Sequence, residues 1–162
     1  MTLAYVALGS NLGDSRQQVL DAMKRLAELP QTRVLQRSPL YMTPPWGVLQ
    51  QPPFVNAAVE LDTGLSPHQL LDSLLQIETA AGRTRAERNG PRTLDLDILL
   101  FGDRLIDEPR LKVPHYQMHL RAFVLYPLAE LAPAELQLPD GRSLAELLNA
   151  CPFVGLERLS RA

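Results

Sequence analysis

Cysteine occurs once in the 162 residues, at Cys151, so no intrachain disulfide can form and no cysteine-based zinc site is available. Cys151 reads as a small packing residue. No run of about 18 apolar residues is present, which excludes a membrane-spanning helix. The start, MTLAYVALGSN, lacks the basic n-region and cleavage pattern of a secretory signal, and the expectation is a cytoplasmic protein. Excess charge of one sign is lacking too. The 16 Lys and Arg against 18 Asp and Glu leave −2, and nucleic-acid binders usually carry a basic excess. There is no internal repeat, no low-complexity segment and no dividing linker, so residues 1–162 are expected to form one domain. The turn GSNLG (9–13) has neither the G-K-[ST] ending of a phosphate-binding loop nor the G-x-G-x-x-G spacing, and reads as a strand-to-helix turn.

What is present is an ordinary globular composition, 46% apolar and 21% charged, in a recognisable order of elements. LAYVALGS (3–10) is β-branched and aromatic, a strand. A helix follows from about Arg16 to Leu29, with Ser15 and Gln18 as a capping box, a stripe of Val19, Ala22, Met23 and Leu26, and Pro30 as its stop. TRVLQRSPLYMT (32–43) is a second strand in which Pro39 marks an edge or bulge. PPWGVLQQPP (44–53), with four prolines and a glycine, is a loop. In FVNAAVEL (54–61), Val55, Ala57, Val59 and Leu61 face one way and Asn56, Ala58 and Glu60 the other. Ser66, Pro67 and Gln69 spell a capped helix start; Leu70, Leu71, Leu74, Ile77 and Ala81 form its stripe and Gly82 its stop. In TLDLDILLF, Leu94, Leu96, Ile98 and Leu100 alternate with Asp95 and Asp97, again a strand. The order β-α-β-β-α-β predicts an α+β, ferredoxin-like antiparallel sheet with helices packed on it. A C-terminal extension adds a helix from about Leu120 to Leu131 and a capped one at SLAELLNA (143–150).

Two carboxylates at i, i+2 on a strand share one face about 6.6 Å apart and suit divalent cations, magnesium in particular, with phosphate oxygens completing the shell. Alone, Asp95 and Asp97 read more readily as a solvated strand face. Just before them, residues 83–92 hold Arg83, Arg85, Arg88 and Arg92 against Glu87, a local balance of +3. Guanidinium forks match phosphate oxygens. Metal plus polyphosphate accounts for both features at once. His115 and His119 lie in a proline-bounded segment with Arg110, Lys112 and Arg121, from which one further phosphate anchor or acid could come; His119 and His68 read as structural. Phe54, Trp46 and Phe123 are aromatics between which a flat heterocycle could stack, although a core role is the more frequent fate of any single Phe, and Asn56 stands where an amide could read such a ring's edge.

Taken together, ALGSNLGD, SPLYMTPPWG, FVNAAVEL, the GR…GPRTLDLDILLFG block and VPHYQM..RAFVLYPLAE resemble the 6-hydroxymethyl-7,8-dihydropterin pyrophosphokinase family of folate biosynthesis, from Ala4 to about Leu131. The resemblance implies a ferredoxin-like fold and transfer of pyrophosphate from ATP to the hydroxymethyl group of a reduced pterin, releasing AMP. It implies that Asp95 and Asp97 hold two magnesium ions, that Phe54 and Phe123 sandwich the pterin, and that Asn56 with Thr43, Pro44 and Trp46 reads its polar edge. Arg83, Arg85, Arg88, Arg92, His115, Tyr116 and Arg121 are implied at the triphosphate and ribose, with Leu71, Glu78, Ile98, Arg110, Leu111 and Lys112 near the nucleotide. Arg83 and Arg92 join the two aspartates as the residues implied in catalysis. Against the family pattern, the loop after Gly82 is one residue shorter, Asn89 stands where tryptophan is familiar, Leu75 replaces a polar residue and Phe54 a common tyrosine.

Loops 43–53 and 82–92 are expected to close when ATP arrives. Two other readings fit the residues: a magnesium-dependent nucleotidyl transferase, which would release pyrophosphate, and a non-catalytic binding module on a ferredoxin-like sheet. The expected partners are ATP and the reduced pterin, with no nucleic acid and no membrane, and the expected state is a monomer.

Overall fold

The computed structural model describes residues 1–43, 52–82 and 94–159. The chain runs β1 (Thr2–Ser10), α1 (Ser15–Ala27), β2 (Thr32–Arg37), β3 (Tyr41–Thr43), β4 (Phe54–Thr63), α2 (Pro67–Ala80) and β5 (Asp95–Phe101). It continues with the short β6 (Ile106–Asp107) and β7 (Lys112–Val113), a 3₁₀ turn at Met118–Leu120, α3 (Ala122–Ala129), α4 (Leu144–Ala150) and β8 (Glu157–Arg158). The main sheet has the order β5-β1-β4-β3-β8, with β2 also paired to β4, and β1 is antiparallel to both neighbours. This is the β-α-β-β-α-β sheet expected from the sequence, its second strand divided in two. Ser38, Pro39 and Leu40 interrupt it: the Ser38 amide bonds the Ala58 carbonyl (2.9 Å), and the Ser38 hydroxyl accepts from the Ala58 amide (2.9 Å).

Alternation along the strands builds two cores. Ala4, Val6 and Leu8 of β1 and Val55, Ala57, Val59 and Leu61 of β4 meet α1 and α2, whose buried residues include Val19, Ala22, Met23, Leu26, Leu70, Leu74 and Ile77. Tyr5, Ala7 and Ala58 on the opposite face meet α3 and α4 through Val124, Leu125, Leu128, Leu144 and Leu147. Truncating a fully buried leucine such as Leu74 typically costs about 2–5 kcal/mol.

Three local expectations are corrected. The cap of α1 is Asp14, whose side chain accepts from the Gln17 amide at 3.2 Å; Ser15 is the first helical residue. Leu100 does not continue the Leu96 and Ile98 face. Val6 pairs with Ile98 but Tyr5 with Leu100, so Leu99 is an extra residue in β5 and the bulge turns Leu100 into the second core. The helix expected near Leu120–Leu131 is shorter, because Arg121 is extended and separates the 3₁₀ turn from α3. The second helix starts as its residues indicate: Ser66 accepts from the Gln69 amide and the Gln69 side chain accepts from the Ser66 amide, with Pro67 at the first helical position. Gly82 ends it at φ +86°.

Polar groups on the second face are tied by carboxylates. The Tyr5 hydroxyl donates to Glu60 (2.6 Å), which also accepts from Gln36 (3.1 Å), and the Tyr41 hydroxyl donates to Glu130 (2.6 Å). Burial is the largest cause that raises both phenols above the ordinary value of 10.0, the carboxylate hydrogen bonds add to it, and Tyr41 is pushed up to about 12. In the unfolded chain these phenols ionise near pH 10. For Tyr41 a raised folded value makes its contribution complete below pH 10 and lost as pH climbs from about 10 to 12. Tyr41→Phe is therefore expected to flatten the decline of stability across that window in urea titrations at stepped pH; parallel declines would contradict it.

Candidate functional site

The site is assembled by strand register. Gly9 of β1 lies opposite Asn56 of β4 on one side and Asp95 of β5 on the other, and Asn56 in turn lies opposite Tyr41 of β3. Residues directly opposite in an antiparallel pair share a face. One row across the sheet is thus Tyr41, Asn56, Gly9 and Asp95; the next is Ala58, Ala7 and Asp97. Neighbouring strands are about 4.8 Å apart, so Asn56 and Asp95 are separated by about 10 Å over the gap left by Gly9. Glycine is required there by the Asn56 side chain. A Cβ at Gly9 would stand 3.0 Å from Asn56 Oδ1.

At one end of this face Asn56 is buried, 4% exposed, and its amide donates to the Thr43 hydroxyl (2.9 Å). Thr43 is opposite Phe54, which puts Thr43, Phe54 and Asn56 on the same side, while Phe123 at the start of α3 packs against the core of that face. Asn11 is buried in the turn after β1 and donates to the Pro52 carbonyl (3.3 Å), fastening the start of β4 to that turn.

At the other end Asp95 and Asp97 are half-buried. The segment after β7 runs along β5, where the His115 amide bonds the carbonyl of the bulge residue Leu99 (3.0 Å). A bulge beside a site re-aims side chains, and here the carbonyl of its extra residue seats His115. His115 Nε2 is 3.8 Å from Asp97 Oδ1, and Nδ1 accepts from the Gln117 amide (3.2 Å), which leaves the proton of the neutral ring on Nε2, toward Asp97. Burial draws the imidazole down from 6.5 to about 4; the positive charge of Arg121 adds to this and Asp95 opposes it. Tyr116 stacks on His115 (5.2 Å). Arg121 is held by Gln117 (2.6 Å) and lies over the Phe123 ring, 5.7 Å from its centroid.

The structure thus brings together Asp95, Asp97, His115, Tyr116, Arg121 and Phe123 with Asn56, Thr43 and Phe54. The remaining described candidates lie off this face. Ile98 and Leu111 are buried in the first core, with Leu71 packed against it, so Ile98 is behind the strand from the aspartates. Glu78 is buried, and its carboxylate accepts the Leu96 amide at 2.7 Å. Arg110 pairs with Asp72 of α2 (2.5 Å) and Lys112 with Asp107 (2.5 Å), both at the surface. Pro44, Trp46, Arg83, Arg85, Arg88 and Arg92, with Asn89 and the closure expected of the two loops, lie outside the described residues. Sequence reasoning passes over Gly9; a glycine inside a strand between two polar-bearing strands is the signal that marks it.

A family model described as 7,8-dihydro-6-hydroxymethylpterin-pyrophosphokinase (HPPK) matches residues 5–133. A 2-amino-4-hydroxy-6-hydroxymethyldihydropteridine pyrophosphokinase of Pseudomonas aeruginosa is 61% identical over 158 residues, covering 98% of this chain and 97% of the relative. One of the same description from Haemophilus influenzae is 46% identical over 149 residues, covering 92% of each. Among solved structures, that of wild-type Plasmodium falciparum HPPK-DHPS with pteroate superposes with a TM-score of 0.71 at 16% identity, over 92% of this chain and 42% of that one. At that identity the likeness speaks to the fold alone.

Glu78 gives a direct check on how the acidic strand is held. Glu78→Ala leaves the buried Leu96 amide without its acceptor, and a loss of about 1–3 kcal/mol is expected from denaturant titration. A variant as stable as the native chain would show that the bond does not secure β5.

Proposed function

The chain belongs to the 7,8-dihydro-6-hydroxymethylpterin-pyrophosphokinase family, and from that membership we propose how its residues carry out the reaction. It transfers pyrophosphate from ATP to the hydroxymethyl group of 6-hydroxymethyl-7,8-dihydropterin in folate biosynthesis. The observation that carries the residue-level reading is the row Asn56, Gly9, Asp95: one sheet face with an amide at one end and carboxylates at the other, and between them a glycine that gives the Asn56 side chain its space.

In this reading the pterin lies over the Asn56 end. The buried Asn56 amide is oriented by Thr43 and recognises the polar edge of the ring, a task the family resemblance also gives to Pro44 and Trp46, while Phe54 and Phe123 supply the stacking faces. A buried amide so oriented discriminates strongly, since an analogue without the matching edge leaves it unpaired.

The triphosphate lies over the acidic end. Asp95 and Asp97 suit magnesium: they are hard oxygen donors on one strand face. Magnesium characteristically takes one or two carboxylates and fills its shell with water and phosphate oxygens. Two such ions, when bound, would neutralise phosphate charge and acidify the attacking hydroxyl. His115 keeps an Nε2 proton directed at the same space and can donate to a phosphate oxygen. Arg121, with Arg83, Arg85, Arg88 and Arg92, offers guanidinium donors to the charge that builds as the pterin oxygen attacks the β-phosphorus and AMP departs. Tyr116 borders the triphosphate, and the base end of the nucleotide reaches past β5 to Arg110, Lys112, Leu71, Leu111 and the main chain of Ile98, with Glu78 holding the strand. The work is positioning more than covalent catalysis.

We also read the enzyme as a cytoplasmic monomer with no nucleic-acid partner; among the described residues no helix is long and apolar enough to cross a membrane. Incubation with ATP, magnesium and the reduced pterin is expected to give AMP and pterin diphosphate, to stop on chelation and to resume when magnesium is restored. Asp97→Ala is expected to lower turnover by at least about 10²-fold. Pyrophosphate in place of AMP would identify a nucleotidyl transferase instead, and absence of nucleotide turnover would favour a binding module.

A further inference from the structure

The C-terminal tail lies beyond residues 5–133, and it returns to the far edge of the main sheet. β3 has only three residues, Tyr41–Thr43, yet it carries Thr43. So short a strand is poorly fixed by one neighbour. β8 pairs with its second edge, Arg158 opposite Tyr41 and Glu157 opposite Met42, and the Leu159 amide bonds the Leu40 carbonyl (2.7 Å).

Side chains extend this hold to α3. Glu130, which caps the end of α3, accepts from the Tyr41 hydroxyl (2.6 Å) and from both Nε (2.8 Å) and Nη2 (3.3 Å) of Arg158. Phe153 sits edge-on to Tyr41 (centroids 6.3 Å) and to Tyr126 of α3 (5.0 Å). The Tyr126 hydroxyl donates to the Cys151 carbonyl (2.8 Å). A single stretch of tail therefore grips the strand bearing Thr43 and the helix bearing Phe123.

We propose that the tail is a positioning strap for the pterin subsite, with Phe153 and Arg158 acting through Tyr41, Tyr126 and Glu130 to set the separation of β3 and α3. The inference rests on the functional reading above and assigns these residues no contact with substrate. It is selective by construction. β8 and β5 are at opposite edges of the sheet, so a slackened strap disturbs Thr43, Asn56 and Phe123 and leaves Asp95, Asp97 and His115 in place.

The test uses the full-length chain with Phe153→Ala, Arg158→Gln and Arg158→Lys. Phe153 is 48% exposed, so its truncation opens no core cavity, and thermal melts verify folding. Steady-state kinetics are expected to show pterin KM raised about five- to tenfold, a change that a misplacement of about 1 to 1.4 kcal/mol produces, with kcat lowered alongside, because α3 also carries Arg121, and ATP KM within about twofold. Arg158→Lys should recover part of the loss, because one ion pair survives without the fork. An unchanged pterin KM in folded variants, or a parallel rise in both KM values, overturns the strap. Equilibrium titration of the pterin by fluorescence separates the two ideas. If the native enzyme makes no AMP, the functional reading fails; weaker pterin binding by Phe153→Ala than by the native chain still supports the strap, and equal binding overturns it.

Discussion

From Ala4 to Gly9 β1 is paired on both sides, and that double pairing is the constraint from which the site follows. Its register against β4 fixes where Asn56 stands, its register against β5 fixes where Asp95 and Asp97 stand, and Gly9 is common to both. A slip of one residue on either side would turn an entire strand over. The apolar set Ala4, Val6 and Leu8, buried against α1 and α2, makes such a slip costly. The packing that stabilises the sheet and the geometry that presents the two ends of the site are therefore one property.

Phosphoryl-group transfer asks a protein chiefly to hold two substrates in line and to neutralise charge. A central strand with partners on both sides is suited to that, since its backbone has no open edge to relax toward. The flanks need separate support. On the acidic side Glu78 fixes the Leu96 amide and the Leu99 bulge gives His115 its seat. On the amide side Tyr41, Glu130 and the tail fix β3 against α3. Both anchors use a carboxylate to satisfy groups that burial would otherwise penalise.

Much of this was legible in the residues, for physical reasons that differ by element. Val55 to Leu61 has a clean period of two because each face of β4 meets a different core, and Ser66, Pro67 and Gln69 carry a cap with reciprocal bonds. Asp95 and Asp97 stood out because carboxylates are unusual inside an apolar strand. Other features left no local mark. Leu99 forms a bulge with neither glycine nor proline beside it, so Leu100 looked like a continuation of the stripe. Asp14 and Ser15 are both competent caps, and only backbone geometry chooses between them. Glu78 resembles any solvated helix carboxylate until its strand partner is known. β8 has two residues, too few for a pattern, and owes its existence to the edge of β3.

In the proposed arrangement both substrates occupy one face of the sheet, pterin over Asn56 and phosphates over Asp95 and Asp97. The most direct test is a crystal of the ternary complex with a non-hydrolysable ATP analogue, the reduced pterin and manganese replacing magnesium, read by anomalous scattering. The account predicts metal peaks within coordination distance of the Asp95 and Asp97 carboxylates and a pterin ring whose polar edge meets the Asn56 amide. Metal away from these two residues, or a pterin seated on the face covered by α1 and α2, would contradict it.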